Sequence, residues 1–256
     1  MSNRRLAASL LTMLLAAAAP ARADEIVLAS PSYWCPFSCR AGAAQEGFTV
    51  DIVREIFGAA GHRVRLVNQN YSRALLDVRA GTYTATPSTF RSEAPDFVFP
   101  EQPISRNRYC VFTRRDSAWR YRGPASLDEL DLVGVIRDYS YGAALDTAIK
   151  ATPRRFEVHT GDSLTERMLR RLKLGRMAAF IEEESLVAYT VKLHPELAAR
   201  SAGCEAPSYA YLALSPRHPQ AQDYARTFSE GMLKLRRSGR LKAILAGYGL
   251  TEWPAP

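Results

Sequence analysis

From residue 25 onward, short apolar runs alternate with stretches in which apolar positions recur every three or four residues. "EIVLAS" reads as a strand, and in "FTVDIVREIFGAAGH" Ile52, Val53, Ile56, Phe57 and Ala60 fall on one helical face, with Gly61 placed to end it. "RVRLVN" alternates as a strand does. "NYSRALLDVRAG" reads as a helix capped by Asn70 and stopped by Gly81, with Ala74, Leu75 and Val78 inward. This β-α-β-α order predicts an open sheet covered by helices.

The middle of the chain repeats the theme. "RYCVFTRR", "LVGVI", "FEVHT" and "MAAFI" read as strands, and "YGAALDTAI", "DSLTERMLRRLKLGR" and "ESLVAYTVKL" as helices. Ser126 with Glu129, and Ser163 with Glu166, have the spacing of capping boxes. "YAYLALS" is one more strand, and from Pro219 a helix pair closes the chain. No linker rich in Pro, Gly or Ser separates two halves. The last helices have no strand of their own, which suggests interleaved lobes whose chain crosses over and returns. Two lobes joined by crossing strands leave a cleft, the usual place for a small ligand.

The compartment follows from the first residues. Arg4 and Arg5 precede an apolar run from Leu6 to Ala19, and Ala21 and Ala23 form a small-x-small exit, so residues 1–23 are expected to be a cleaved secretory leader. The run is too short for a comfortable span, which takes about 20 residues. The destination expected is the periplasm. Arg4, Arg5 and Arg22 lie in the leader, so its loss lowers the formal charge from +8 to +5. That modest field favours small anionic or zwitterionic ligands. "KLRRSGRLK" reads as the polar face of a helix, so no nucleic-acid partner is expected.

Four cysteines in an oxidising compartment point to disulfides. His62, His159, His194 and His218 are scattered without ligand spacing, so neither metal nor other cofactor is expected. Three residues, not two, separate Cys35 from Cys39 in "SYWCPFSCRAG", which argues against a redox motif and for a local bond that shapes a turn.

Six segments, in order, resemble the periplasmic solute-binding proteins of family 3, the polar amino-acid uptake type. They are "GFTVDIVREIFGAAG", "ALLDVRAGTYTA", "RSEAPDFVFPEQPI", "LDLVGVIRDYSYG", "LKLGRMAAFIEEESLVAY" and "LKLRRSGRLKAILAGYG". The resemblance implies an α/β fold of two lobes (periplasmic-binding-protein type II) closing on a ligand in a central cleft. Residues 24–105 and 216–256 would form one lobe and 106–215 the other. It implies a monomer that binds a small molecule, an amino acid or related carboxylate, and delivers it to an ABC permease in the inner membrane.

The resemblance also assigns roles. Trp34 falls where an aromatic stacks on the ligand, the alternative being a core tryptophan holding the cysteine turn. Arg91 has the spacing of the arginine that grips an α-carboxylate, a task suited to a bidentate guanidinium. Thr84 stands where the family has aspartate and the segment to Arg91 is short, so Arg73 is a second candidate, and a solvated Arg91 is the alternative. Tyr139 and Ser140 occupy the turn that holds the carboxylate. Glu183 stands where an aspartate pairs with the ligand's ammonium. The alternative is that Glu182, Glu183 and Glu184 only complement the N-terminus of the next helix.

Periplasmic cyclohexadienyl dehydratases resemble the same scaffold, and there Glu183 would act as general acid. A sensing module working through a partner is a third reading. No GxxxxGK[ST] or G-x-S-x-G motif is present. Cys110 and Cys204 are left over. A bond between them would close a long loop, but if "RYCVFT" and "YAYLALS" run side by side, Cys204 lies at the wrong end, and that register argues against it.

Overall fold

Two five-stranded sheets organise the chain. The structure, a computed structural model, describes residues 24–254 except 138 and 162, so the expected leader lies outside the described residues. The chain enters with β1 (Glu25–Ser30), α1 (Phe48–Ala59), β2 (Arg63–Asn68), α2 (Tyr71–Ala80), β3 (Ala85–Thr89) and the short β4 (Ser105–Asn107). It then builds β5 (Tyr109–Thr113), β6 (Val133–Ile136), α3 (Ala143–Ala151), β7 (Phe156–His159), α4 (Leu164–Lys173), β8 (Ala179–Glu183), α5 (Glu184–Leu193) and β9 (Arg200–Cys204). It ends with β10 (Ser208–Leu214), α6 (Ala221–Arg237) and α7 (Arg240–Gly247). Among the described residues no helix is long and apolar enough to cross a membrane.

The first sheet has the order β2-β1-β3-β10-β4, with β1 parallel to β2 and β3, and β10 antiparallel to β3 and β4. The second has the order β7-β6-β8-β5-β9, with β6 parallel to its neighbours and β5 antiparallel to its own. Each lobe has its own core. Ile26, Leu28, Ile52, Phe57 and Phe228 are buried in the first, and Phe180 lies fully buried in the second. Each such phenylalanine contributes about 2–3 kcal/mol of apolar burial.

Sheet membership moves the expected lobe boundaries. β4 and β10 both belong to the first sheet, so the chain crosses at Arg108 and returns through Glu205–Pro207, some residues ahead of the expected edge at 215. The apolar alternation of "YAYLALS" announces a strand but not its sheet. Its neighbour β3 is "ATPST", five buried residues with one small apolar side chain at their head, and leaves no hydrophobic signature.

That misplacement explains the second disulfide. The outer partner of β5 is β9, "RSAGC", which lacks an apolar pattern, and Cys110 stands directly opposite Cys204 in the antiparallel register. The two are bonded, contrary to the register expected from the sequence, and Cys35 is bonded to Cys39.

Helix ends are partly as read. Asn70 accepts from Ser72 N at 3.0 Å, and Gly81 closes α2 in the left-handed conformation at φ 84°. Neither capping box forms. Ser126 sits in a 3₁₀ turn, where its hydroxyl donates to Gly123 O, and Glu129 bonds Trp119 and Arg122 instead. Ser163 makes no side-chain cap, and Glu166 accepts from Arg170.

Candidate functional site

The crevice starts at the turn after β1. Trp34 stacks on Phe37 with centroids 4.4 Å apart and packs against the first lobe's core, and Ser38 N bonds Trp34 O at 3.0 Å. The Cys35–Cys39 bond closes this turn. With Trp34 turned inward, its neighbour Tyr33 is left 68% exposed. Tyr33 and Cys35 form the first lobe's lip of a crevice of about 670 Å³. Trp34 is thus half-buried against that core, and the aromatic on the crevice lip is Tyr33, one position earlier.

The second lobe supplies the remaining described wall. Ile136, Arg137 and Tyr139 come from the end of β6, His159 and Thr160 from the end of β7, and Ser163 and Leu164 from the entry to α4. Leu186, Tyr189 and Leu193 add one face of α5. That helix also joins the lobes: Leu186 belongs to the first lobe's core cluster, and Tyr189 meets Tyr248 at 6.0 Å. Ser88 and Ser163 are the non-glycine residues with positive φ among those described, at 59° and 50°. Such strain tends to sit at functional sites, and Ser163 lies on the crevice wall.

Behind Tyr139 stands an aromatic group. Tyr139 and Tyr109 flank Tyr141 at 6.1 and 5.1 Å, and Tyr141 O–H accepts from Ile136 N at 2.6 Å. Burial, with smaller contributions from nearby Glu182 and Tyr33, raises the Tyr139 phenol above its ordinary value, so it stays a neutral donor. Two tyrosines, Tyr33 and Tyr139, therefore line the crevice from different lobes.

The three glutamates at the end of β8 each do something different. Glu182 accepts from Thr165 Oγ1 and from Glu183 N, both at 2.9 Å. Glu183 caps α5, accepting from Ser185 N at 2.7 Å, Leu186 N at 3.1 Å and Arg108 N at 3.3 Å. Glu184 holds both arginines of the crossing strand, Arg106 Nη2 at 2.8 Å and Arg108 Nε at 3.0 Å. Glu183 is 1% exposed and does not line the crevice, so the ligand role expected for it gives way to helix capping. Burial raises its carboxyl to about 8 against the pull of those donors.

Burial likewise pushes Glu182 up to about 7. Between the ordinary value of 4.5 and about 7, the folded chain keeps a proton there that the unfolded chain has lost. Stability therefore falls as pH rises through that window and levels off above it. One group changes the slope by at most about 1.4 kcal/mol per pH unit. Glu183 acts with the same sign, up to about 8. Glu182→Gln is expected to remove roughly half of the decline that urea titrations show between pH 5 and 7. An unaltered slope contradicts the assignment.

The other residues expected to bind ligand lie elsewhere. Arg73 is exposed and pairs with Asp77 at 2.9 Å along α2. Arg91 donates to Pro100 O at 2.8 Å, and its guanidinium lies over Tyr211 at 4.2 Å and Phe99 at 5.1 Å. The Ser140 hydroxyl donates to Asp146, which also accepts from Tyr141 N and so ties up that turn. Of the six, Tyr139 alone lies on the described crevice wall. Tyr33, Arg137, His159 and Tyr189 were not foreseen. Tyr33 carried a weak signal, since in an extended turn its side chain must oppose that of Trp34.

A second depression, of about 440 Å³, lies on the first lobe alone, between α1 and α7. Its charges satisfy one another: Arg240 pairs with Glu55 at 3.0 Å, and Tyr248 O–H donates to Asp51 at 2.6 Å.

No protein-family model matches the chain, and no curated protein matches it in sequence. Many solved structures match it in fold. A histidine kinase sensor domain with similarity to periplasmic binding proteins is 21% identical, with TM-score 0.63 over 90% of this chain and 98% of its own. A structure from the glutathione import route of Streptococcus mutans, through GshT and the cystine ABC importer TcyBC, is 16% identical, with TM-score 0.68 over 91% and 98%. The ancestral amino acid-binding protein AncCDT-1, a precursor of cyclohexadienyl dehydratase, is 14% identical, with TM-score 0.63 over 88% and 95%. Two sheets of this topology, two crossing segments, a crevice between the lobes and these likenesses together show that the chain has the two-lobed fold of the periplasmic binding proteins.

Proposed function

We propose that the chain is an extracytoplasmic solute-binding protein of family 3, exported to the periplasm, that captures a small polar solute, an amino acid or related carboxylate, by closing its lobes. The observation that carries this reading is the crevice walled by Tyr33 and Cys35 from one lobe and Tyr139 from the other, across two short crossing segments. A solute touching both walls binds the closed form better and shifts the population towards it. Delivery to an ABC permease is supported by the likeness to a structure from an ABC import route.

The enzyme reading is weaker. It needs Glu183 as an acid in the crevice, whereas the Glu183 carboxylate is engaged by the first N–H groups of α5. The likeness to a dehydratase precursor makes prephenate and arogenate the substrates to assay, with no turnover expected. The sensor reading is supported by the kinase-domain likeness and differs only in the partner.

The test is a thermal-shift screen of residues 24–256 against amino acids, amines, organic acids and short peptides. A ligand at 100 times its Kd adds about 2.7 kcal/mol of stability. Absence of a shift across all four classes overturns the proposal.

A further inference from the structure

Among the described residues, the crevice differs from a zwitterion site in its charges. A ligand with both an α-carboxylate and an α-ammonium needs a cation and an anion within reach. The carboxylate expected to meet the ammonium, Glu183, is turned into the cap of α5. Glu166, the carboxylate on the described crevice wall, is held by Arg170 at 2.7 Å and lies 3.8 Å from His194. His159 and His194 each face a carboxylate, Glu157 at 3.7 Å and Glu196 at 3.8 Å. Arg137 is the exception: it is exposed on the crevice wall, and no ion pair or side-chain hydrogen bond engages it among the described residues.

Aromatic and aliphatic side chains share the rest of the wall with the hydroxyls of Thr160, Ser163, Thr165 and Thr190. Tyr33 and Tyr139 line the crevice from different lobes, and Tyr189, Leu164, Leu186 and Leu193 line it as well. A 68% exposed tyrosine at a crevice lip wastes apolar surface unless something covers it. The space, about 670 Å³, exceeds what a short polar side chain needs and lies within the range of ring-bearing ligands.

Resting on the solute-binding reading above, we infer that the captured solute is an aromatic carboxylate without an α-ammonium group, its ring between Tyr33 and Tyr139 and its carboxylate on Arg137. A guanidinium fork suits a carboxylate bidentately, and a ring between two phenols gains offset or edge contacts that a short polar chain does not. Arg137 and Tyr33 then set specificity, and lobe closure completes the ring site because its two tyrosines belong to different lobes.

Isothermal titration calorimetry of residues 24–256 tests this with matched pairs: 3-phenylpropionate against phenylalanine, and 4-hydroxyphenylpyruvate against tyrosine, with glutamine and cystine alongside. Each acid is expected to bind at least tenfold more tightly than its amino-acid counterpart. Arg137→Ala should weaken the acids at least tenfold and Arg137→Lys less. Tyr33→Ala should weaken them severalfold with the melting temperature unchanged, since both side chains are exposed. Equal or tighter binding of phenylalanine and tyrosine overturns the inference, as does an Arg137→Ala protein, folded by circular dichroism, with unchanged affinity for the acids. If glutamine or cystine binds and the aromatic acids do not, this inference fails while the solute-binding reading stands. If nothing binds, both fail.

Discussion

Gly47→Ala is expected to destabilise the protein by about 2–5 kcal/mol, the sum of a backbone penalty and an overpacking penalty. Gly47 has φ 114° and ψ 143°, a region that residues with a side chain rarely enter. A Cβ there would clash with the Phe37 carbonyl oxygen and lie 2.8 Å from Ser38 Cα, both of them backbone. The turn cannot yield cheaply. Cys39 N bonds Glu46 O at 2.8 Å, Phe48 N bonds Pro36 O at 2.9 Å, and Thr49 Oγ1 donates to Phe37 O at 2.7 Å. This is also the turn that presents Tyr33 to the crevice, so the variant should lose ligand affinity along with stability. Gly42→Ala is the control. Gly42 has φ 78° but nothing within 4 Å of its Cβ position, so only the left-handed penalty of about 1 kcal/mol applies. Urea unfolding of the two variants should differ accordingly, and equal midpoints would contradict the account of the turn.

The second large effect concerns the disulfides, whose contributions should be very unequal. Cys110 and Cys204 are 94 residues apart and Cys35 and Cys39 are 4 apart. By the chain-entropy argument, the long loop stabilises the fold by about 4–5 kcal/mol and the short one by roughly 2 kcal/mol. Cys110→Ala with Cys204→Ala should therefore lower the urea midpoint about twice as far as Cys35→Ala with Cys39→Ala. The long-range bond also ties β5 to β9 where both crossing segments leave the second lobe, so its loss should loosen the hinge and weaken ligand binding. The short bond shapes the Tyr33 lip, so its loss should act on affinity more than on stability. Equal losses of stability from the two pairs would contradict this division.

How much of this was legible in the sequence follows from what each element is made of. α1, α2, α5 and α6 carry apolar faces and read plainly. β1, β2 and β6 read as strands because Val, Ile and Leu dominate them. β3 and β9 did not, because Thr, Ser, Pro, Gly and Ala carry no periodic signal and become strands through pairing alone. Without β9 the sequence offers Cys204 no register opposite Cys110, so it weighs against a bond that the structure contains. Function suffered in the same way. Arg91 has the right spacing, but a spacing cannot show that its guanidinium rests on Tyr211 and bonds Pro100 O. The alternatives open for Trp34 and Glu183, core packing and helix capping, are what the structure contains, because a half-buried ring stacked on Phe37 and a buried carboxyl at a helix start each find nearer partners than a solute. Arg137 was invisible because its distinction is the lack of a described partner, which only the arrangement of its neighbours reveals.

A solute held between the lobes should draw them together. Pulsed electron resonance between spin labels at Leu76 and Leu174, exposed positions of the first and second lobes at 57% and 63%, measures that motion directly. With a saturating solute from the screen, the inter-label distance is expected to shorten and its distribution to narrow. A distribution that stays the same at saturation would contradict lobe closure.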